Sequence, residues 1–260
     1  MIRYAELDVT TNFSFLRGAS HADELVAQAK ASGLEAIAVT DRNTLAGIVR
    51  AHTAAKAVGL RFIPGARLDL TDAPGFLCLP TSRAAYGRLS RLLSLGQARA
   101  QKGQCLLQLA DMVALSEGNI FIAVPPDRLD DTFEAGLQRV RGMLPARLYL
   151  AASHTYRGDD RARIGRLAAM ARSAGTPLVA TNAVLYHAPH RRALQDVLTC
   201  VREHTTIQEA GYLLAANAER HIKKPEEMAR LFRGYEDAVA RTIEIMDACR
   251  FSLDELVYEY

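Results

Sequence analysis

The chain has 260 residues, enough for one large α/β domain or two small ones, and 49% of them are apolar, so a sizeable core is within reach. A formal net charge of +3 is only mildly basic and does not by itself indicate a nucleic-acid partner. Four cysteines (Cys78, Cys105, Cys200 and Cys249) with no C-x-x-C pair argue against a disulfide framework or a zinc site. No signal peptide and no apolar run of membrane-spanning length is visible, so a soluble, cytoplasmic chain is expected.

In chain order, residues 5–9 read as a strand. Ser20 then reads as an N-cap with Asp23 at N3, opening a helix that runs to about Gly33 and buries Leu25, Val26 and Ala29. A second strand over 35–40, a helix over 43–58 stopped by Gly59, and a third strand over 61–64 follow. Strand–helix–strand–helix–strand in so short a stretch makes right-handed βαβ units and a parallel sheet the default. Residues 76–79 give another strand, and 82–97 a helix with Leu89, Leu92 and Leu93 on one face. A short amphipathic helix is expected near Leu106–Leu115. Asn119–Val124 is a buried strand broken by Pro125-Pro126, and a helix runs from about Asp127 to Leu144. Residues 147–151 form a strand, a helix ends at Gly175, and 176–181 is the last strong strand. After Pro189 the pattern is mostly helical: 190–203, 225–232 and 235–249. Residues 251–260 have apolar spacing like an extended segment. No interior linker, low-complexity tract or repeat is evident.

Four stretches end alike: 4–20, 38–47, 62–67 and 178–186 each run from apolar residues into small, polar or charged ones. Buried parallel strands deliver side chains to the mouth of an α/β barrel in this way. The wording of these stretches carries a resemblance. Ala5–Ser20, with Asn12-Phe-Ser-Phe-Leu-Arg-Gly-Ala-Ser20 at its end, resembles the opening of the PHP (polymerase and histidinol phosphatase) domain of bacterial C-family DNA polymerases, in particular the error-prone branch. Thr40-Asp-Arg-Asn-Thr-Leu-Ala-Gly47 resembles that domain's second motif and Phe62-Ile-Pro-Gly-Ala-Arg67 its third. Leu178-Val-Ala-Thr-Asn182 and Leu194-Gln-Asp-Val-Leu-Thr-Cys200 resemble its last. The resemblance implies a distorted parallel (β/α)7-type barrel wrapped by helices, with a mostly helical C-terminal segment. Residues 1–250 would be a single PHP domain, and 251–260 the start of the connection to a polymerase core.

Active PHP domains carry His, Asp and Glu residues at the strand ends, holding up to three metal ions. Carried over residue by residue, that pattern is depleted here. The places of the first His-x-His hold Asp8 and Thr10, and the acidic residue before the loop glycine is Arg17. The histidine after the aspartate of the second motif is Arg42, and the acidic residue closing the third is Arg67. The last Asp-x-His places hold Ala183 and Leu185, and His154 falls loosely at a remaining histidine position. A guanidinium does not lose its proton and cannot ligate a metal. The expectation is therefore no catalytic residue, no metal and no cofactor in this domain. Magnesium is expected only in the polymerase core, with palm carboxylates beyond Tyr260. Arg17, Arg42 and Arg67 are expected to form an anion or salt-bridge pocket, pairing with Asp8 and Asp41, so that Arg42→Ala or Arg67→Ala would cost a few kcal/mol.

The resemblance implies a parent enzyme that copies DNA in translesion synthesis and damage repair, with this domain structural or partner-binding. Its partners would be the polymerase core of the same chain, DNA through the parent enzyme, and other proteins of the mutagenesis complex. Two alternatives stand beside it. One is an active metal-dependent phosphoesterase or 3′–5′ exonuclease built from Asp8, Asp41, His154 and His187. The other is a non-catalytic nucleic-acid or phosphate binder using the arginine pocket. His187-Ala-Pro-His190-Arg191-Arg192 reads as a helix start rather than a metal or phosphate cluster, and Arg157-Gly-Asp-Asp160 as a loop with an N-cap at Asp159 or Asp160. The Arg88/Arg91 and Arg161/Arg163/Arg166 helices read as solvated faces. Ser14 and Ser20 have no triad partners nearby, and no glycine-rich phosphate loop is present.

Overall fold

Seven short apolar runs form seven strands whose spatial order is their chain order. The structure, a computed structural model, describes residues 2–144 and 147–256. The strands are β1 (Ala5–Val9), β2 (Ala36–Arg42), β3 (Arg61–Leu68), β4 (Phe76–Pro80), β5 (Asn119–Ala123), β6 (Leu148–Ser153) and β7 (Leu178–Thr181). The helices are α1 (Ala22–Ala31), α2 (Ile48–Val58), α3 (Arg83–Ala98), α4 (Leu109–Ala114), α5 (Asp131–Met143), α6 (Asp160–Ser173), α7 (Arg192–Glu203), α8 (Pro225–Leu231) and α9 (Glu236–Ala248). This is the barrel-like sheet with a helical C-terminal segment that the sequence implied.

One strand departs from the parallel run. β4 lies antiparallel to both β3 and β5, while β1–β2–β3 and β5–β6–β7 are parallel. The cause is local. Only residues 69–75 join β3 to β4, far fewer than a crossover needs.

Alternation along the strands makes two cores. Ala5, Leu7, Ala38, Ile63, Leu77, Ile120, Ile122 and Val179 fill the barrel, and Ile245 and Met246 of α9 plug one end. Burying side chains of that size contributes roughly 2 kcal/mol each. Ile37, Val39, Leu68, Phe121, Leu150 and Ala180 face outward onto α1, α2, α3, α5 and α6. A bulge in β1 breaks the alternation: Glu6 pairs with Ile37 but Val9 with Val39. So Leu7 points into the barrel and Val9 into the outer layer, with Asp8 at the bulge. The sheet closes where Val9 meets Val184. Thr10 N–H donates to Val184 O at 2.9 Å, and Val184 N–H to Asp8 O at 2.8 Å.

Several boundaries differ from expectation. α1 is capped at His21, whose N–H donates to Glu24 Oε2 at 2.8 Å, while Ser20 is buried in the preceding loop. α2 begins at Ile48 because Asn43 takes a left-handed φ of 51° and its side chain accepts from Asp69 N–H, which holds 43–47 as a loop. α5 begins at Asp131, with the Asp130 carboxylate accepting from Phe133 N–H at 2.9 Å. β3 extends to Leu68 and so carries Arg67 within the strand. Leu253–Glu255 is a 3-10 turn rather than an extended segment, and Val257–Tyr260 lie outside the described residues.

Candidate functional site

The C-terminal ends of the parallel strands converge on one mouth, at the end opposite α9. Arg42 of β2 and Arg67 of β3 are register partners there. Two like charges directly opposite on neighbouring strands repel. One carboxylate separates them: Asp69 Oδ2 lies 2.5 Å from Arg42 Nη1, and Asp69 Oδ1 lies 3.1 Å from Arg67 Nε. Sequence reading missed Asp69. The available signal was its position two residues beyond Arg67, on the same strand face.

The expected pairing of these arginines with Asp41 is corrected. Asp41 is 1% exposed and accepts from Thr11 N–H at 2.8 Å, Thr11 Oγ1 at 2.7 Å and Ser14 Oγ at 2.6 Å. Ile37, Val39 and Asp41 share one strand face and Arg42 belongs to the other, so Asp41 turns into the 11–14 loop. Burial raises its carboxyl above the ordinary carboxylate range, against the pull of the loop donors. The loop packs so closely that a Cβ on Gly47 would sit 2.7 Å from Asp41 Oδ2, and one on Gly18 2.2 Å from Thr11 O.

Asp8, buried at the bulge, makes no ion pair with Arg17, Arg42 or Arg67 within salt-bridge distance; its charge is felt by Arg42 and by Arg220. Arg220 is a second residue that sequence reading missed. Its Nε donates to Ala183 O at 2.8 Å. Burial, then the charges of Arg67 and Arg42, depress its pKa, while Asp8 opposes them. Arg17 reaches the same neighbourhood from the loop before α1. Burial lowers its pKa first, and Arg42, Arg202 and Arg67 add to the effect. Thr10 is buried at the strand end, Ala183 holds a left-handed φ of 47°, and Leu185 packs with Ala19 and Tyr186. None of these three supplies a charged group.

The other rim is a buried lysine network. Lys223 Nζ sits 2.6 Å from Glu219 Oε2 and 5.5 Å from the Tyr156 ring centroid, with its side chain fully covered. The Asn182 amide donates to the Glu219 and His221 carbonyls, tying that segment to the end of β7. His154 stacks edge-on against Tyr156, 4.0 Å from Asp160. Asp160 accepts from the N–H groups of Thr155, Arg157 and Gly158, which makes 157–160 a carboxylate-clamped loop. His187 bonds Ser20, and Arg191 pairs with Glu24, so the 187–192 stretch pins α7 to α1.

Glu6 is the third residue missed. It is 2% exposed at the barrel seam. Its Oε2 accepts from Tyr4 OH at 2.7 Å and Asn182 N–H at 3.0 Å, and its Oε1 from Asp8 N–H at 3.0 Å. One side chain thus supplies acceptors that a paired strand would otherwise provide.

Among the described residues, no group of three or more His, Cys, Asp or Glu could hold a metal ion. At the mouth itself the donors are two carboxylates, Asp8 at the bulge and Asp69 already paired with Arg42 and Arg67, one hydroxyl and several guanidiniums. That set does not match what a divalent ion requires. The arginine–Asp69 pairs are partly solvent-exposed, with side chains between 20% and 35% accessible. Arg42→Ala or Arg67→Ala is therefore expected to change stability by about 1 kcal/mol or less, because each also removes the Arg–Arg repulsion. A loss beyond about 3 kcal/mol in urea unfolding would mark the pair as a buried one after all.

Comparison with known proteins gives these observations relatives. The PHP domain family profile matches residues 6–141. The error-prone DNA polymerase of Caulobacter vibrioides is 57% identical over 258 residues, covering 99% of this chain and 24% of that protein. Error-prone DNA polymerase 1 of Agrobacterium fabrum is 51% identical over 258 residues with the same coverage, 99% and 24%. The chain spans about a quarter of the length of these curated relatives. Among solved structures, a candidate metal-dependent phosphoesterase from Bifidobacterium adolescentis aligns with a TM-score of 0.55 at 15% identity, covering 70% of this chain and 87% of that one. An amidohydrolase from Chromobacterium violaceum, with bound sulfate and no metal, aligns with a TM-score of 0.52 at 16% identity, covering 71% and 88%. At such identities the likeness speaks to the fold alone.

Proposed function

The chain belongs to the PHP domain family, and on that premise we propose that it is the N-terminal part of a longer error-prone DNA polymerase, in which it braces the polymerase core instead of hydrolysing phosphoesters. The longer protein would copy DNA across lesions in the damage response, with magnesium held only in its polymerase core. Its near-complete match to one quarter of such polymerases supports this assignment. Its other partners would be DNA, through the parent enzyme, and proteins of the mutagenesis complex. Among the described residues no helix is long and apolar enough to cross a membrane.

The observation that carries the bracing role is the orientation of α7. A surface helix normally buries its apolar face and exposes its polar one. Here Gln195, Thr199 and Cys200 are buried, while Leu194, Val197 and Val201 are 41%, 46% and 53% exposed. Gln195 Nε2 donates to Thr199 Oγ1 at 3.0 Å. Phe15, 81% exposed, lies on the loop that Arg202 tethers through Leu16 O. A face of this kind calls for a cover. The cover would be the polymerase core, within the three quarters of the relatives' length that this chain does not span. The phosphoesterase or exonuclease alternative is less well supported, because the mouth offers arginines where ligands are needed.

Two measurements test the proposal. The 260-residue chain is expected to show no primer extension, no 3′–5′ exonuclease and no phosphoesterase activity with magnesium, manganese or zinc. Val197→Asp with Val201→Asp is expected to lower the melting temperature of the full-length polymerase by several degrees and to leave that of the 260-residue chain unchanged or higher. Metal-dependent hydrolysis by the chain would overturn the loss of function, and a double variant without effect in the full-length protein would overturn the bracing role.

A further inference from the structure

We infer that the arginine-lined mouth is an oxyanion site that takes a phosphate group, with guanidiniums alone supplying the positive charge. The inference rests on the reading above in one respect, that no metal ion occupies the mouth.

Charge arithmetic comes first. Arg42 and Arg67 are register partners at the mouth, and both act electrostatically on Arg17 from one side and on Arg220 from another. The carboxylates among them are Asp8 and Asp69, so four positive charges face two negative ones, an excess of two. Asp41 is turned into the 11–14 loop, where Thr11 and Ser14 occupy it. Arg202, on the edge of the cluster, has its own partner in Glu203 at 2.9 Å. A phosphate monoester carries close to two negative charges at neutral pH.

Donor geometry comes second. Arg42 and Arg67 stand side by side in register, a fixed double fork of the kind that matches phosphate oxygens bidentately. One Asp69 carboxylate bridges them, using one nitrogen of each; among the described residues the remaining N–H groups of both meet no side-chain acceptor. The Arg17 guanidinium makes no hydrogen bond or ion pair within the described residues, and Arg220 donates only to a backbone carbonyl. Such a cluster is costly to assemble for stability alone, since like charges are gathered and only half compensated.

Space comes third. From Arg67 a cleft of about 710 Å³ runs between the residues preceding β4 and α5, past Pro74, Pro125 and Phe133 to Arg139. It gives room for whatever the phosphate is attached to, with apolar walls, a second guanidinium on Arg139, and two carboxylates, Asp72 and Asp130, that accept from the N–H groups of Leu109 and Phe133.

Isothermal titration of the 260-residue chain with inorganic phosphate, at constant ionic strength in chloride, tests the site. One saturable site with Kd of about 1 mM or tighter is expected. Arg17→Gln should weaken it about tenfold, and Asp69→Asn, which removes the built-in competitor, should tighten it about tenfold. Because Arg17 has no partner to lose, its variant decides the matter even if Asp69→Asn fails to fold. No saturable binding, or binding indifferent to both substitutions, overturns the site. Single-stranded oligonucleotides separate the sources. Preference for a 5′-phosphorylated over a 5′-hydroxyl strand supports the site and assigns it to a strand end, whereas equal binding of both strands without phosphate binding overturns it. A parallel manganese titration keeps the two readings apart. Tight manganese binding defeats the metal-free premise, while loss of phosphate binding with no manganese bound defeats the oxyanion site alone.

Discussion

Glu6→Ala is expected to destabilise the chain by about 4 kcal/mol, read as a lowered urea midpoint with an unchanged m-value. The substitution strands Tyr4 OH and the N–H groups of Asp8 and Asn182 at a buried seam. Removing one partner of a buried polar group costs the desolvation of every group left behind. Glu6 also gives stability a pH dependence. Burial pushes its carboxyl from 4.5 up to about 8, against the three donors that favour the charged form. The folded value lies above the unfolded one, so the fold holds the proton that the unfolded chain releases. The contribution is complete below about pH 4.5 and is lost as the pH rises through about 8. Glu6→Gln removes the titration. The difference in unfolding free energy between wild type and Glu6→Gln should shift by a few kcal/mol between pH 5 and pH 8.5, to the disadvantage of the wild type as pH rises. A constant difference across that window would mean that the carboxylate is charged in the fold.

Asp41→Ala is the second large effect, with about 3 kcal/mol of stability lost. Three donors on Thr11 and Ser14 lose their acceptor at once, and Ser14 Oγ in turn accepts from Arg42 N–H at 2.9 Å. The 11–20 loop should become the first site of proteolytic nicking, detectable by mass spectrometry of limited digests. Asp41→Asn keeps one acceptor oxygen and should recover about half of the loss. If Asp41→Ala unfolds at the wild-type midpoint, the loop is held by something other than this carboxylate.

The barrel was legible in the sequence because buried parallel strands are near-continuous apolar runs, and Ala36–Val39, Ile120–Ala123 and Leu178–Ala180 are of that kind. The direction of β4 was not, because it depends on how few residues separate it from β3 rather than on its own composition. The start of α2 was misplaced because Asn43 bonds the end of β3, a tertiary contact that helical periodicity does not encode. At the mouth, Arg17, Arg42 and Arg67 could be named because they fall within motifs. Arg220 lies in a segment with no motif and comes to the mouth through tertiary contacts, the pairing of Tyr186 with His221 and the bonds from Asn182 to that segment. Asp41 was assigned the wrong partners because its strand face was not considered. Glu6 stood in the first quoted motif, but its acceptor role depends on Asn182, which only the closed barrel brings near.

The seam also sets a timetable for synthesis. Glu6 and its partner Asn182 are 176 residues apart, so the ribosome takes roughly 10–35 s to make the second after the first. During that interval β1 has one neighbour in β2 and one bare edge, at which a nascent chain can pair wrongly or with a second chain. Even then the barrel lacks its stopper, since Ile245 and Met246 emerge some sixty residues later. Early termination before β7 therefore yields an open sheet with Glu6 uncovered on its rim, and termination between Val184 and α9 a closed but unplugged barrel, both species suited to chaperone capture rather than to autonomous folding.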